Sequence, residues 1–431
     1  VSDARITKLY NLHKELSTIC ADMNSRGFYF HNENRLTMEY LLQQQIEEAK
    51  ANWREVCCIP DAVPCTPSTM RAVLFSRHAK AGIQCENMPD PVNIPDWTNP
   101  AKETISIKKQ PLLRLIVSPH ATPSVIAKVE AWWKFKKAEK KLGFVQSEDM
   151  LADVDWDVSR IRPPWNSCGT DTGRFSAGYM LTIPQDCRFM FGAAPGRALI
   201  HADKKQLEIR VMACVAADDT LQKIILSGKD LYEEEARIYY NIPADEKIKK
   251  AVRNSAKIGR LARQYGAQEK TCLSQAIAQD RTMTITRMRS IIHKFDTTYH
   301  RTVSYWGEET KRVAAAGYSE SRLLQRRRVY PRMPDLSEIA NWPIQSTASD
   351  IMNFEFIELY YRLKEECPTA YLVGQFHDAV DVECDEDDID KVRKIIMEVM
   401  NRNWIVNGFD FPFFVDVKIA VNSRGDTWAD V

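Results

Sequence analysis

The chain has 431 residues, of which 44% are hydrophobic, with 59 basic and 58 acidic side chains and a formal net charge of +1. That excludes a disordered chain and leaves room for two or three domains with real cores. Mean hydropathy is -0.38, and no apolar run reaches the ~18 residues of a membrane span. The polar start Val1-Ser2-Asp3-Ala4-Arg5 has no apolar signal core. The eleven cysteines are scattered and odd in number, so reduced thiols and a cytoplasmic setting are expected. Their densest group, Cys57, Cys58, Cys65 and Cys85, lacks the paired C-x-x-C spacing of a zinc site.

Leu9, Leu12, Leu16, Ile19 and Met23 space an amphipathic helix over residues 3–26, stopped by Gly27. A second helix is predicted from about Glu33 to Val56, after a loop over Gly27–Asn32. Residues 60–67 and 89–100 read as loops around a short capped helix at 67–75. A further helix covers 122–142, and the Gly-, Pro-, Ser- and Thr-rich segment 160–187 reads as irregular. Ala198–Asp203 is a buried strand and Gln206–Val215 the helix after it. Residues 217–340 are charged and mostly helical, and 347–363 is another helix. Tyr371–Phe376 and Val380–Cys384 pair as a hairpin with His377-Asp378 at its tight end, followed by a helix over 387–406. The order implies an α+β protein, with a small sheet assembled from distant segments around a helical insertion.

Three segments carry chemistry. Asp203 and Asp378, 175 residues apart, each end a predicted strand, where a carboxylate is held rigidly enough for metal binding. Two convergent carboxylates can hold two divalent ions about 4 Å apart. Between them, Arg253, Lys257, Arg260, Leu261, Gln264 and Tyr265 fall on or near one face of a helix. Its cations can grip a triphosphate, Tyr265 can support a base, and Gly266 admits a close strand. Taken singly, each carboxylate reads as an ordinary strand-end acid and the basic helix as a solvated face. Two further basic groups, Lys134–Lys141 and Arg322–Arg332, suggest faces that follow a phosphate backbone.

Together these segments resemble the three polymerase motifs of family A DNA polymerases, the bacterial DNA polymerase I and phage replicase family. Asp203 to Arg210 resembles D-Y-S-Q-I-E-L-R. Arg253, Lys257, Tyr265 and Gly266 match R-x3-K-x7-Y-G, and Gln375-Phe376-His377-Asp378 resembles Q-V-H-D. Thr170 to Ser176 looks like T-x-T-G-R-L-S, Asn341 to Asp350 like N-x-P-I-Q-G-T-A-A-D, and Pro67 to Phe75 like S-P-K-Q-L-x-x-V-L-F. The resemblance spans nearly the whole chain in the expected order.

The resemblance implies a right-hand polymerase fold. Residues 1–150 would be thumb and supporting elements, 151–217 and 345–431 palm with a small antiparallel sheet, and 218–344 helical fingers. It implies DNA-directed DNA synthesis from dNTPs on primer–template DNA. Asp203 and Asp378 would hold two Mg²⁺ ions, with Mn²⁺ an expected substitute. Arg253 and Lys257 would bind the triphosphate, with Lys257 also a general acid. Gln206 and Tyr232 would help position the nucleotide, and Glu208 would exclude a 2′-hydroxyl. Arg174, Asn341, Gln345, His377 and Gly266 would contact DNA.

The chain departs from the family pattern at several places. Lys204-Lys205 stand for Tyr-Ser, Leu261 for the aromatic that stacks on the nucleotide, Tyr232 for a His, Ala379 for a Glu and Ser346 for a Gly. These changes point to a divergent phage-type member, acting in a bacterial host cytoplasm, with an organelle as the alternative. No acidic set suited to 3′–5′ exonuclease chemistry precedes the first helix, so no proofreading by this chain is expected. A helicase or a separate exonuclease would be its replication partners. The competing readings are a single-subunit RNA polymerase, opposed by Glu208, and a non-catalytic nucleic-acid-binding relative, opposed by the joint presence of Asp203, Asp378, Arg253, Lys257 and Glu208.

Overall fold

A computed structural model describes residues 4–88, 98–99, 104–116, 118, 120–277, 280 and 282–431. Most of the loop predicted at 89–100 lies outside the described residues. The chain divides into two compact units, one of Val1–Arg35, Glu148–Glu269 and Thr286–Val431, the other of Leu36–Ser147 and Lys270–Ile285.

The first unit is built on a four-stranded antiparallel sheet. Its strands are β1 (Arg197–Lys204), β2 (Tyr371–Phe376), β3 (Ala379–Asp385) and β4 (Val415–Val421), in the order β2-β3-β1-β4. Strand side chains alternate between faces, and the register sorts them cleanly. Ala198, Ile200 and Ala202 of β1 and Val380, Val382 and Cys384 of β3 are buried. On that face pack two helices, α1 (Leu336–Glu366) and α2 (Ile389–Met400). The opposite face carries Asp203, His201 and Leu199 beside Ala379, Asp381 and Glu383, with Asp416, Lys418 and Ala420 on the other flank.

Lys204 falls on the helix face, where it is fully buried and donates to Glu355 of α1 at 2.8 Å. Glu355 also accepts from the Trp404 indole at 2.8 Å. The Lys in place of an aromatic is thus absorbed by a buried ion pair, whose rupture leaves an uncompensated charge.

Three segments differ from the sequence reading. Helix α1 runs 31 residues straight through Pro343, where the sequence suggested a start near Thr347 because proline removes a helix N–H. The predicted helix over 387–406 ends at Met400, and Arg402–Val406 pairs with Phe409–Phe413. The signal for that hairpin was Asn407-Gly408, whose positive φ values of 52° and 83° are those of a type I′ turn. The expected loop after Gly27 contains the strand Phe28–Phe30. Phe28 packs against Phe191 and Trp428, with ring centroids 6.1 and 5.4 Å away. Within the mostly helical residues 217–340, Tyr318–Glu320 pairs with Arg327–Val329 as a hairpin.

The second unit is helical. Trp53 lies 5.1 Å from Trp132, which in turn packs on Phe135. Thr66 and Thr122 cap the helices Pro67–Leu74 and Pro123–Val145, each with proline in the first turn. None of the eleven cysteines is in a disulfide. No helix among the described residues is long and apolar enough to cross a membrane.

Candidate active site

Strand pairing joins the two key carboxylates. Asp203, near the end of β1, is the register partner of Ala379, and Asp378 is the residue before it. Phe376 pairs with Ala379, so His377-Asp378 form a two-residue turn. The Lys204 N–H then donates to the Asp378 carbonyl at 2.9 Å, pinning the turn to β1. His377 adopts φ 61°, a left-handed conformation that costs a side-chain-bearing residue energy and fits a turn of the II′ kind.

The electrostatics follow from this crowding. Desolvation first, and then the Asp378 charge, push Asp203 up to about 6. Desolvation also raises Asp378. His377 is lowered by desolvation and by the Arg174 charge. Neither Asp forms an ion pair with a Lys or Arg among the described residues.

The same residues hold no group of three or more His, Cys, Asp or Glu side chains arranged for a metal ion. A pair is nevertheless the donor set that suits Mg²⁺, which keeps its waters and binds through one or two carboxylates plus substrate phosphates. Desolvation and the Asp378 charge raise Asp203 although the His201 and Lys418 charges oppose them, a crowding that a bound cation would relieve. Glu383 does not replace the carboxylate absent at position 379. It is fully buried four residues along β3, bound to Arg160 at 2.7 and 2.8 Å and to Arg197 at 2.9 Å.

Glu208 lies in the first turn of the helix Leu207–Val215, entered through Gln206 in the left-handed conformation at φ 54°. Its carboxylate accepts from Arg174 on one oxygen and from the Tyr265 hydroxyl on the other. Three motifs far apart in sequence therefore meet on one side chain. Gly266 follows Tyr265 at φ +77°, and a Cβ there would come within 3.0 Å of Leu336. Glycine is needed for both reasons. At Gly173, φ +83°, a Cβ would lie 2.6 Å from the Arg326 guanidinium, so the turn before Arg174 also depends on glycine.

The basic helix is Lys250–Arg263. Arg253 and Lys257 stand 5.2 and 5.5 Å from the Tyr232 ring centroid, so these three predicted residues are together. Arg253 is bidentate to Asp230 at 3.0 and 2.7 Å, and Asp230 caps the helix Leu231–Tyr240. Lys257 and Leu261 are exposed. Arg260 does not share their face, contrary to the expectation from spacing. It is fully buried, paired with Glu235 at 3.0 Å and set 4.5 Å from the Tyr299 ring. Gln264 is buried too, and Arg263 is bidentate to Asp296 at 2.8 and 2.7 Å. The helix thus offers a narrower cationic edge than its composition suggested, because helical geometry turns position 260 inward.

Gln345 and Asn341 lie on α1, one turn apart and half-buried, and the Asn341 amide oxygen is buried without a partner. Sequence reasoning did not single out Asp230, His201 or Asp381. The first carried an N-cap signal, and the other two could have been found by counting twos from Asp203 and Ala379 along their strands.

Comparison with known proteins gives the class. The model of DNA polymerase family A matches residues 38–430, and the chain belongs to that family. It is 28% identical over 284 residues to the thermostable DNA polymerase I of Thermus filiformis, covering 61% of this chain and 32% of the relative. It is 26% identical over 312 residues to DNA polymerase I of Geobacillus stearothermophilus, covering 68% of this chain and 34% of the relative. The chain thus spans about a third of the length of these curated relatives.

A solved structure described as the POL domain of Pol1 from M. smegmatis in complex with DNA primer-template and dNTP superposes with a TM-score of 0.78 at 20% identity. The match covers 96% of this chain and 70% of that one. The fold is the right-hand polymerase fold, and membership of the family carries a divalent-metal requirement.

Proposed function

We propose that this chain catalyses template-directed DNA synthesis, adding dNTPs to a primer 3′-hydroxyl with release of pyrophosphate. The observation that carries the reading is the junction of Asp203 with the Asp378 turn, beside a Glu208 held by both Arg174 and Tyr265. In this reading residues 1–150 serve as thumb and supporting elements, 151–217 and 345–431 as palm, and 218–344 as fingers.

Asp203 and Asp378 hold Mg²⁺. When bound there, the divalent ions supply activation of the 3′-hydroxyl and charge neutralisation at the α-phosphate. Lys257, exposed and without an acidic partner among the described residues, binds the triphosphate and can hand a proton to the leaving pyrophosphate. Arg253 joins it on the Tyr232 side, its guanidinium oriented by Asp230. Glu208 occupies the space a ribose 2′-hydroxyl needs, and its two hydrogen bonds keep it from swinging aside. Gln206 positions the nucleotide, with Leu261 on the helix Lys250–Arg263 and Tyr265 just past its end. Arg174, Asn341, Gln345, His377 and Gly266 line the primer–template junction.

The test is primer extension with Mg²⁺ and each dNTP, beside Asp203→Asn and Asp378→Asn. Template-directed addition should vanish in both variants while primer–template binding stays. A folded wild-type chain that binds primer–template yet adds no nucleotide with either Mg²⁺ or Mn²⁺ would overturn the proposal.

A further inference from the structure

The helix that carries Arg253 and Lys257 is tied to its neighbour at two levels, and the reaction just proposed uses only one of them. Arg253 of Lys250–Arg263 pairs with Asp230, the N-cap of Leu231–Tyr240. About two turns further on, Arg260 pairs with Glu235 of that same neighbour. The outer pair is part-exposed, whereas Arg260 and Glu235 are fully buried. Tyr232 stands between the two levels. It lies one turn before Glu235, and its ring faces Arg253 and Lys257.

The inner pair is directional. Arg260 donates through Nη1 to Glu235 at 3.0 Å and through Nε to the Gln264 side chain at 3.3 Å. Its guanidinium lies 5.2 Å from the Phe295 ring centroid and 4.5 Å from that of Tyr299. The Gln264 carbonyl accepts from the Trp306 indole at 3.1 Å. A Cβ at Gly259 would stand 3.3 Å from Ile291, so the helix is seated closely beside Arg260 as well.

Such a pair is a poor way to stabilise a core. Arg260 Nη2, the Gln264 amide nitrogen and the Tyr239 hydroxyl are buried without a hydrogen-bond partner. The Tyr299 hydroxyl lies beside Glu235, yet neither it nor the second Glu235 oxygen reaches hydrogen-bond geometry. Unmet polar atoms cost free energy, and apolar replacements of buried ion pairs are often neutral or stabilising. What the pair does provide is a fixed setting, because a planar fork meets its carboxylate at one rotation and one height of the helix. A rigid helix passes that setting to Lys257, one turn before Arg260.

We infer that the Glu235–Arg260 pair is a positioning unit for the triphosphate site, locking the rotation and height of the helix Lys250–Arg263 so that Arg253 and Lys257 stand together at Tyr232. The inference rests on the proposed triphosphate role of Lys257. Neither Glu235 nor Arg260 touches substrate. Both act through the helix.

The experiment uses the full chain and dATP as probe, bound opposite a template T on a primer ended by a dideoxynucleotide, so that no addition occurs. Wild type is compared with the double variant Glu235→Leu with Arg260→Met, with Arg260→Lys and, as reference, with Lys257→Gln. Primer–template affinity, the unfolding midpoint and, on an extendable primer, KM and kcat are read alongside. The double variant removes both charges and leaves neither unpaired, so it should stay folded. It should weaken dATP binding about 10- to 100-fold and raise KM in step, with kcat less affected and primer–template affinity unchanged. Arg260→Lys keeps the charge but not the fork, and should lose less.

Should the double variant fail to fold, Arg260→Lys carries the comparison, and wild-type dATP affinity in it overturns the inference. A purely structural pair would shift the unfolding midpoint and leave dATP affinity untouched. General loosening would weaken dATP and primer–template binding together. Either outcome, with Lys257→Gln still binding dATP more weakly than wild type, overturns the inference alone. Equal dATP binding by wild type and Lys257→Gln overturns the triphosphate role of Lys257 and the inference with it.

Discussion

Glu208 shows how much one side chain can organise. Its two oxygens are taken by Arg174 and by Tyr265, so the carboxylate is fixed by groups from two other segments. A fixed obstacle discriminates better than a mobile one, because moving it breaks two charge-assisted hydrogen bonds. Glu208→Ala should therefore relax discrimination against ribonucleotides by roughly 10- to 100-fold, with dNTP addition retained, as read by paired single-nucleotide kcat/KM values. Unchanged discrimination would remove Glu208 from the gate.

Asp350, fully buried on α1, gives a pH signature instead. Burial pushes it up to about 6, against the opposing pull of Arg326, Ser321 and the Leu324 N–H. Its folded value lies above the ordinary carboxyl value, so the folded chain binds the extra proton. The stability it contributes is full below about pH 4 and is lost as pH rises through about 6. Asp350→Asn should flatten that part of the urea-unfolding profile between pH 4 and 6 relative to wild type. Parallel profiles would show that Asp350 does not titrate there.

At the scale of elements, the β2–β3 turn trades stability for placement. His377 at φ 61° sits where glycine would be at ease. His377→Gly should leave stability unchanged or raise it by up to about 1 kcal/mol, while primer extension slows. A variant that is both less stable and fully active would show that the histidine holds the turn rather than serving the site. The same register that sets this turn beside Asp203 also sets Asp381 beside His201 and Glu383 beside Leu199. A one-residue slip would exchange the faces of β3 and bury the wrong set. The basic helix makes a related point. Arg253, Lys257 and Arg260 look alike in sequence, yet the 3.6-residue turn sends Arg260 into the core against Glu235.

For the molecule as a whole, the near-zero net charge hides an uneven use of cations. Arg253, Arg263, Arg312, Arg322, Arg327 and Arg328 all pair with acids, so the Arg322–Arg332 group is far less available to a phosphate backbone than its composition suggests. Lys134, Lys137 and Lys140 on the helix Pro123–Val145 are exposed instead. If that helix serves as thumb, replacing the three with Gln should weaken primer–template binding. The salt dependence of log Kd should become shallower by about one unit for each phosphate that no longer meets a lysine. An unaltered salt slope would take this face off the DNA.

The sequence by itself determined the family and the α+β class, and it singled out Asp203, Asp378, Arg253, Lys257, Glu208 and Tyr265 as one ordered set. Those features survive in one dimension because each depends on residue type at fixed local spacing. The hairpin with His377-Asp378 at its tip was legible for the same reason, and the Asn407-Gly408 hairpin would have been. Tertiary structure alone decided the rest. It alone brought Arg174 and Tyr265 to the two oxygens of Glu208, gave Arg253 to Asp230, buried Lys204 on Glu355, and set the Asp381–His201 pair behind Asp203. These residues meet across 23 to 180 positions of chain, brought together by strand register and helix facing, and no local periodicity records which partner a buried charge will meet.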